Sequence, residues 1–134
     1  MARGFSLIEL LVALSAAAVL AGIALPSFSQ ALQRSRRIEA VTALMQLQLA
    51  QERWRSSHPG YADDLASLGL DAAAGRHYRL AILDSGIQRY TAVATAVGAQ
   101  AGDAACTSLG LTLSGATQTL HSTGRASTAE CWRR

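Results

Sequence analysis

One carboxylate stands at the head of an otherwise apolar run near the start of the chain. Glu9 lies four residues after Phe5, and residues 10–25 that follow it hold no charge at all. An acid in the apolar part of a membrane costs about 2.5–3.5 kcal/mol on insertion scales, so such a residue needs a cationic partner. The sequence contains no Lys, and after the apolar run the nearest Arg is Arg34, more than about six helical turns away. The cation must come from another molecule.

The other residues able to carry chemistry are scattered. His58, His77 and His121 fall in separate stretches with no Glu-x-x-His or His-x-x-x-His spacing. Asp63 and Asp64 are adjacent, which suits a solvated helix start better than a metal site. No nucleophile elbow, phosphate-cradling loop or dinucleotide fingerprint occurs, and the eleven glycines are spread over turns. This reads as a chain that is not an enzyme, with no cofactor and no metal. Cys106 and Cys131 are the only cysteines, and their spacing fits neither a zinc pattern nor a redox pair. In an exported head the two are expected to pair, two independent buried thiols being the alternative.

All twelve basic residues are Arg, set against nine acids. Loss of Arg3 with a short leader would leave eleven against nine, too small an excess to imply a nucleic-acid partner. A DNA-uptake role through Arg34, Arg36, Arg37, Arg76, Arg79 and Arg89 would require binding that falls steeply with salt.

The elements that position these residues begin with the apolar run. A secretory signal has a cationic start and a small-residue cleavage site after its apolar stretch. Here the leader is only four residues, a glutamate follows, and no Ala-x-Ala exit precedes Pro26. Residues 5–25 are long enough for a helix to cross a bilayer core of about 30 Å. Ala21 and Gly22 would allow close helix approach, and Pro26 predicts a kink where the run ends.

The stretch Gly4-Phe5-Ser6-Leu7-Ile8-Glu9-Leu10, followed by an uninterrupted apolar run and Pro26, resembles the N-terminal signal of type IV prepilins and pseudopilins. The resemblance implies that a membrane prepilin peptidase cuts after Gly4 and methylates the new terminal Phe5. It also implies that Glu9 pairs with the N-terminal amine of a neighbouring subunit. The chemistry agrees, since an α-amine has a reference pKa of about 7.7–8.0 and keeps its charge on methylation. One feature opposes the implied orientation: the positive-inside rule would hold Arg34, Arg36 and Arg37 in the cytoplasm. Arg3 and the amino terminus argue weakly the other way.

Residues 27–55 hold no Gly or Pro, and Ile38, Val41, Met45 and Leu49 recur on one helical face while Leu44 and Leu47 fall on another. A helix covered on two sides is expected, by its own sheet and by other subunits. Ser57-His58-Pro59-Gly60 ends it. Residues 61–70 predict a short turn capped at Asp63 or Asp64. Residues 77–84 and 88–97 read as a hairpin, with further strands over 107–113 and 117–121.

The expected fold is α+β: a long N-terminal helix, transmembrane then amphipathic, packed on a small antiparallel sheet with a disulfide-bounded C-terminal loop. Four segments follow, 1–4 as leader, 5–26 as transmembrane and assembly helix, 27–56 as its amphipathic continuation, and 57–134 as head. Residues 61–70, the two strands and Cys131-Trp132 are similar to PilE-like minor pilins. The resemblance implies a minor pilin of a type IV pilus, with a pseudopilin of a type II secretion system or a singly anchored periplasmic binding or sensor module as alternatives. Its partners would be other pilin subunits, the peptidase, the inner-membrane assembly machinery and the membrane itself. Its location would be the inner membrane with a periplasmic head, then the filament at the cell surface.

Overall fold

The computed structural model describes residues 6–133, and the chain divides into two units, Met1–Leu32 and Gln33–Arg134. Helix α1 (Leu7–Arg55) is 49 residues long and belongs to both. Position 26 falls inside it, with the helix assigned on either side.

In the first unit α1 is made of Leu, Ala, Val and Ile, which lose little on helix formation and leave no polar group to solvate. It is long and apolar enough to cross a membrane. The Ser15 hydroxyl donates back to Leu11 C=O at 2.7 Å, so the helix itself satisfies this polar group. Every described side chain of this unit is exposed, including Leu7, Ile8, Leu10, Leu14, Val19, Leu20, Ile23 and Phe28.

The second unit is a head with a closed core. From Gln33 onward α1 buries Ala40, Val41, Ala43, Leu44, Leu47 and Gln51, a face spaced by three and four residues. Gln51 reaches across to the next loop, its side chain donating to Ala62 C=O (2.8 Å) and accepting from Ala62 N–H (2.9 Å). The face lies against a five-stranded antiparallel sheet of order β1 (Ala73–Ala74), β2 (Tyr78–Ser85), β3 (Arg89–Ala96), β4 (Ser108–Ser114) and β5 (Thr117–Thr123).

Each central strand alternates in and out, because successive side chains leave opposite faces of the pleat. Tyr90, Ala92, Ala94 and Ala96 of β3 point inward, and so do Leu109, Leu111 and Leu113 of β4. The register sets small against large, Ala92 opposite Leu111 and Ala94 opposite Leu109. Alanines at 40 and 43 on the helix complete this packing, so helix and sheet approach closely while the leucines fill the remaining space.

A bulge between Ile82 and Asp84 bends β2. The two-residue turn Gly115-Ala116 joins β4 to β5, with Gly115 at φ 58°, a left-handed conformation that favours glycine. A 3-10 turn, Gly98–Gly102, leads out of β3, and helix α2 (Thr128–Trp132) closes the chain. Its start is a capping box: Ser127 Oγ accepts Glu130 N–H, and the Glu130 side chain accepts Ser127 N–H.

The α+β architecture and the four longer strands match expectation to within a residue or two. The structure tells the two apolar faces of the helix apart. Leu44 and Leu47 hold the sheet, and Val41 joins them, whereas Ile38, Met45 and Leu49 are about half exposed. The core selects alanine for close approach, so the bulkiest stripe is not the inward one. Strand β1, the 3-10 turn and α2 are additions.

Candidate functional site

Glu9 lies in the first turn of α1, where the unpaired N–H groups of the helix favour a negative charge. Ser6 C=O accepts from Glu9 N–H (3.0 Å) and Leu10 N–H (3.2 Å), which starts the helix. The Glu9 carboxylate is exposed and has no partner among the described residues. Gly4 and Phe5, the other two assembly and processing candidates, lie outside the described residues.

Cys106 and Cys131 form the expected disulfide, with Cα atoms 5.7 Å apart and both residues fully buried. It fastens α2 to the residues just before β4. The backbone supports the same junction, since Arg125 N–H donates to Ala104 C=O and Ala126 N–H to Ala105 C=O, each at 3.0 Å.

Beside the disulfide lies a polar node that sequence reasoning missed. Arg37 meets Asp103 in a two-pronged ion pair, Nε to Oδ2 at 2.7 Å and Nη2 to Oδ1 at 2.8 Å, with the Asp103 side chain 1% exposed. Gln100 Nε2 donates to Asp103 Oδ2 (3.1 Å), Tyr78 Oη (3.2 Å) and Gln33 C=O (3.1 Å). Cys106 N–H donates to Asp103 Oδ1 at 3.3 Å, so the ion pair and the disulfide share one loop. Burial raises the Tyr78 hydroxyl above its usual range, partly offset by the Gln100 hydrogen bond. Arg37 is therefore committed to the core and does not count with the free cations.

The remaining polar candidates stand apart. His58 stacks on Trp54 (centroids 3.7 Å apart), His77 Nδ1 meets Glu39 Oε1 at 2.9 Å, and the His121 ring covers Gly110, where any Cβ would overlap it. Among the described residues no three His, Cys, Asp or Glu come together as a metal site. Asp64 caps the turn over 65–70, accepting the Ser67 N–H and hydroxyl at 2.7 Å each, which holds its carboxyl below the usual carboxylate range. Arg89 bridges to Asp84 across the β2–β3 hairpin. Burial pushes the Tyr90 hydroxyl well above its usual range, and this buried oxygen has no hydrogen-bond partner among the described residues. Against α1 a groove of about 560 Å³ is lined by Ile38, Glu39, Thr42, Leu70, Ala74 and Leu80 among others.

Comparison with known proteins divides the chain much as the fold does. Residues 1–25 match the prokaryotic N-terminal methylation motif, and residues 26–110 match the family described as "Type IV minor pilin ComP, DNA uptake sequence receptor". The type IV major pilin protein PilA of Myxococcus xanthus is 37% identical over 76 residues, 57% of this chain and 34% of that protein. A fimbrial protein of Moraxella nonliquefaciens is 32% identical over 84 residues, 61% of this chain and 54% of that protein. The matched segment thus spans between a third and about half of these relatives. With an apolar helix under the methylation motif and a helix-on-sheet head under the pilin match, the chain belongs to the type IV pilins, in the family of the minor pilin ComP.

Proposed function

We propose that this chain is a structural subunit, a minor pilin, of a type IV pilus. Prepilin peptidase cuts it after Gly4 and methylates Phe5, and it joins the filament through the helix that follows. The observation that carries this reading is the coincidence of the methylation motif over residues 1–25 with an exposed apolar helix whose one acid has no partner among the described residues. In a bundle of such helices, the Phe5 amine of one subunit and Glu9 of the next supply what each lacks. A subunit slipped along the bundle would leave both groups buried and unpaired, so the pair also sets register. The head then has no need of catalytic groups.

Processing separates this reading from a singly anchored binding module, which gains nothing from a cut after Gly4. The intact mass of the chain from sheared filaments should correspond to N-methylated Phe5 at the terminus. Recovery of Met1 or Ala2 there would refute the reading. Before assembly the subunit sits in the inner membrane as a single-pass protein with a periplasmic head. Presence in sheared pili, rather than retention in the cell envelope, separates the pilus from a type II secretion pseudopilus.

A second reading, that the head receives DNA, is favoured by one observation, the description of the matching family as a DNA uptake sequence receptor. Two of the six arginines first considered are committed to ion pairs, Arg37 to Asp103 and Arg89 to Asp84. Arg34, Arg36, Arg76 and Arg79 have no acidic partner among the described residues. The test is duplex binding by the processed chain across a salt series. A steep fall with salt that Arg76→Ala and Arg79→Ala flatten would support this reading, and salt-independent or absent binding would refute it.

A further inference from the structure

The head's sheet is finished at one end and bare at the other. On one edge β1 pairs only Ala73 with Arg79 and Ala74 with Tyr78, and Leu80 N–H reaches Ala72 C=O at 2.7 Å. Past Leu80, no described residue hydrogen-bonds the outer backbone of β2. On the opposite side α2 packs over the last part of β5, where Ser122 Oγ donates to Thr128 Oγ1 (3.3 Å) and Trp132 Nε1 donates to His121 C=O (3.0 Å), a carbonyl that is itself turned toward β4. Residues 117–120 of β5 have no such cover.

The register gives the direction of the bare groups. Ser114 pairs with Thr117 across the two-residue turn, and Thr107 N–H donates to Thr123 C=O, so the odd-numbered residues of β5 turn their backbone groups toward β4. Gln118 and Leu120 turn theirs outward. On β2 the outward N–H of Leu80 places Ile82 on the outward side as well. Ile82, Ala92, Leu111 and Leu120 occupy one row across the sheet, so the two bare stretches lie on the same row at the same end. Each carries an exposed large apolar side chain, Leu83 at 65% and Leu120 at 40%. Edge strands are normally guarded by charge, proline, a bulge or cover; β5 contains no charged residue and no proline, whereas on β2 the bulge and Asp84 guard the edge beyond Ile82 and leave Ile82 itself open.

We propose that these edges are the two halves of one contact. Residues 117–120 of β5 in one copy lie antiparallel to β2 at Ile82 in a second copy, Leu120 opposite Ile82 just ahead of the β2 bulge, so that one head's sheet continues into the next. Strand direction alternates along the sheet, so two heads standing in the same orientation bring β5 of one against β2 of the other antiparallel. Anchoring in one membrane through the N-terminal helix imposes that shared orientation, and to this extent the inference rests on the proposed function. Pairing of β5 with β5 would turn one head over. The contact is heterologous and does not close on itself, as suits a growing assembly. A four-residue edge is weak alone and acts between heads already held side by side.

The test uses the full chain in two differently tagged forms, Leu120→Cys and Ile82→Cys, co-produced in one membrane and mildly oxidised. The expected result is a disulfide-linked dimer containing both tags, which is lost when the Leu120→Cys form also carries Gln118→Pro, a change that removes one outward N–H. Retention of the Cys106–Cys131 bridge in each form reports that the head is folded. Single-tag Leu120→Cys dimers in excess of mixed ones overturn the proposal in favour of two-fold pairing. Absence of any dimer with both forms folded and in the membrane fraction overturns it as well, leaving the pilin reading intact. Recovery of the chain outside the membrane fraction overturns both.

Discussion

The two units of this chain satisfy their residues in opposite ways. In the first, every described side chain is exposed and its one acid has no partner among the described residues. In the second, leucines, alanines, an ion pair and a disulfide find their partners within about a hundred residues of the same chain. The difference teaches that one polypeptide can hold an intramolecular fold beside an intermolecular one. The head buries its own core, whereas on the proposed reading the anchor is half of a contact whose other half is a second molecule.

The sharpest way to break this contrast is Glu9→Gln, which keeps the size of the side chain and removes only its charge. A buried charge left without its partner costs about 3–5 kcal/mol, so incorporation into sheared filaments should fall by about two to three and a half orders of magnitude relative to the membrane pool. Cleavage and the melting temperature of the head should not move, and Glu9→Asp should do less harm. Equal incorporation of wild type and Glu9→Gln would mean that apolar packing alone drives assembly.

The mirror-image experiment strikes the head and spares the anchor. Asp103→Ala leaves the Arg37 guanidinium buried and unpaired, and is expected to destabilise the head by about 3–5 kcal/mol in urea titration. Membrane insertion should be unaffected. Cys106→Ser opens a loop of 25 residues, which in the chain-entropy model costs about 3.5 kcal/mol. A melting temperature unchanged by that substitution would show that the bridge contributes nothing.

What the sequence disclosed follows the same division. The methylation motif over residues 1–25 was legible because its chemistry is local and out of place, an acid at the head of an apolar run, and the roles of Gly4, Phe5 and Glu9 within it belong to the proposed function. Strands β2 to β5 were legible from β-branched and aromatic residues between turn signals. The Arg37–Asp103 pair was not, since 66 residues separate its members and neither carries a local cue. Strand β1, two alanines long, has no pattern to read. Helix α2 was missed although its signal was present, because Ser127 and Glu130 stand at capping-box spacing before Cys131. Which of the two apolar faces of α1 meets the sheet was not legible, because hydrophobicity ranks Ile38, Met45 and Leu49 above Ala40 and Ala43, whereas close packing on a sheet ranks them the other way.

Smaller perturbations sharpen the account of the head. Tyr78 and Tyr90 both hold their protons more tightly when folded than in the unfolded chain, where the ordinary value is 10.0. The unfolded state therefore loses its protons first, and stability falls as pH rises above about 10. Tyr90→Phe should flatten that fall, and because its hydroxyl has no partner the substitution should be neutral or stabilising at pH 7. A lowered melting temperature at pH 7 would reveal a hydrogen bond the fold does not display. The least effect is expected for Asp64→Asn. Its depressed carboxyl contributes above the ordinary value of 3.8 and loses that contribution as the pH falls below it, and its full exposure keeps any shift in melting temperature small.

The order of the sheet has a kinetic consequence. Each strand pairs with its neighbour in sequence, β1 with β2 and so on to β5. A meander of this kind needs no long search, since its connections are of two or three residues except for the eleven between β3 and β4, and local closures are fast. The slow partners are few: the sheet must find α1, and Cys106 must wait for Cys131, 25 residues later. The oxidised bridge can form only after β4 and β5 have been delivered, so it acts as a latch on a sheet already made. A chain stalled before residue 131 would expose β5 along its whole length, with no helix to cover its upper edge and every outward N–H open to the nearest strand.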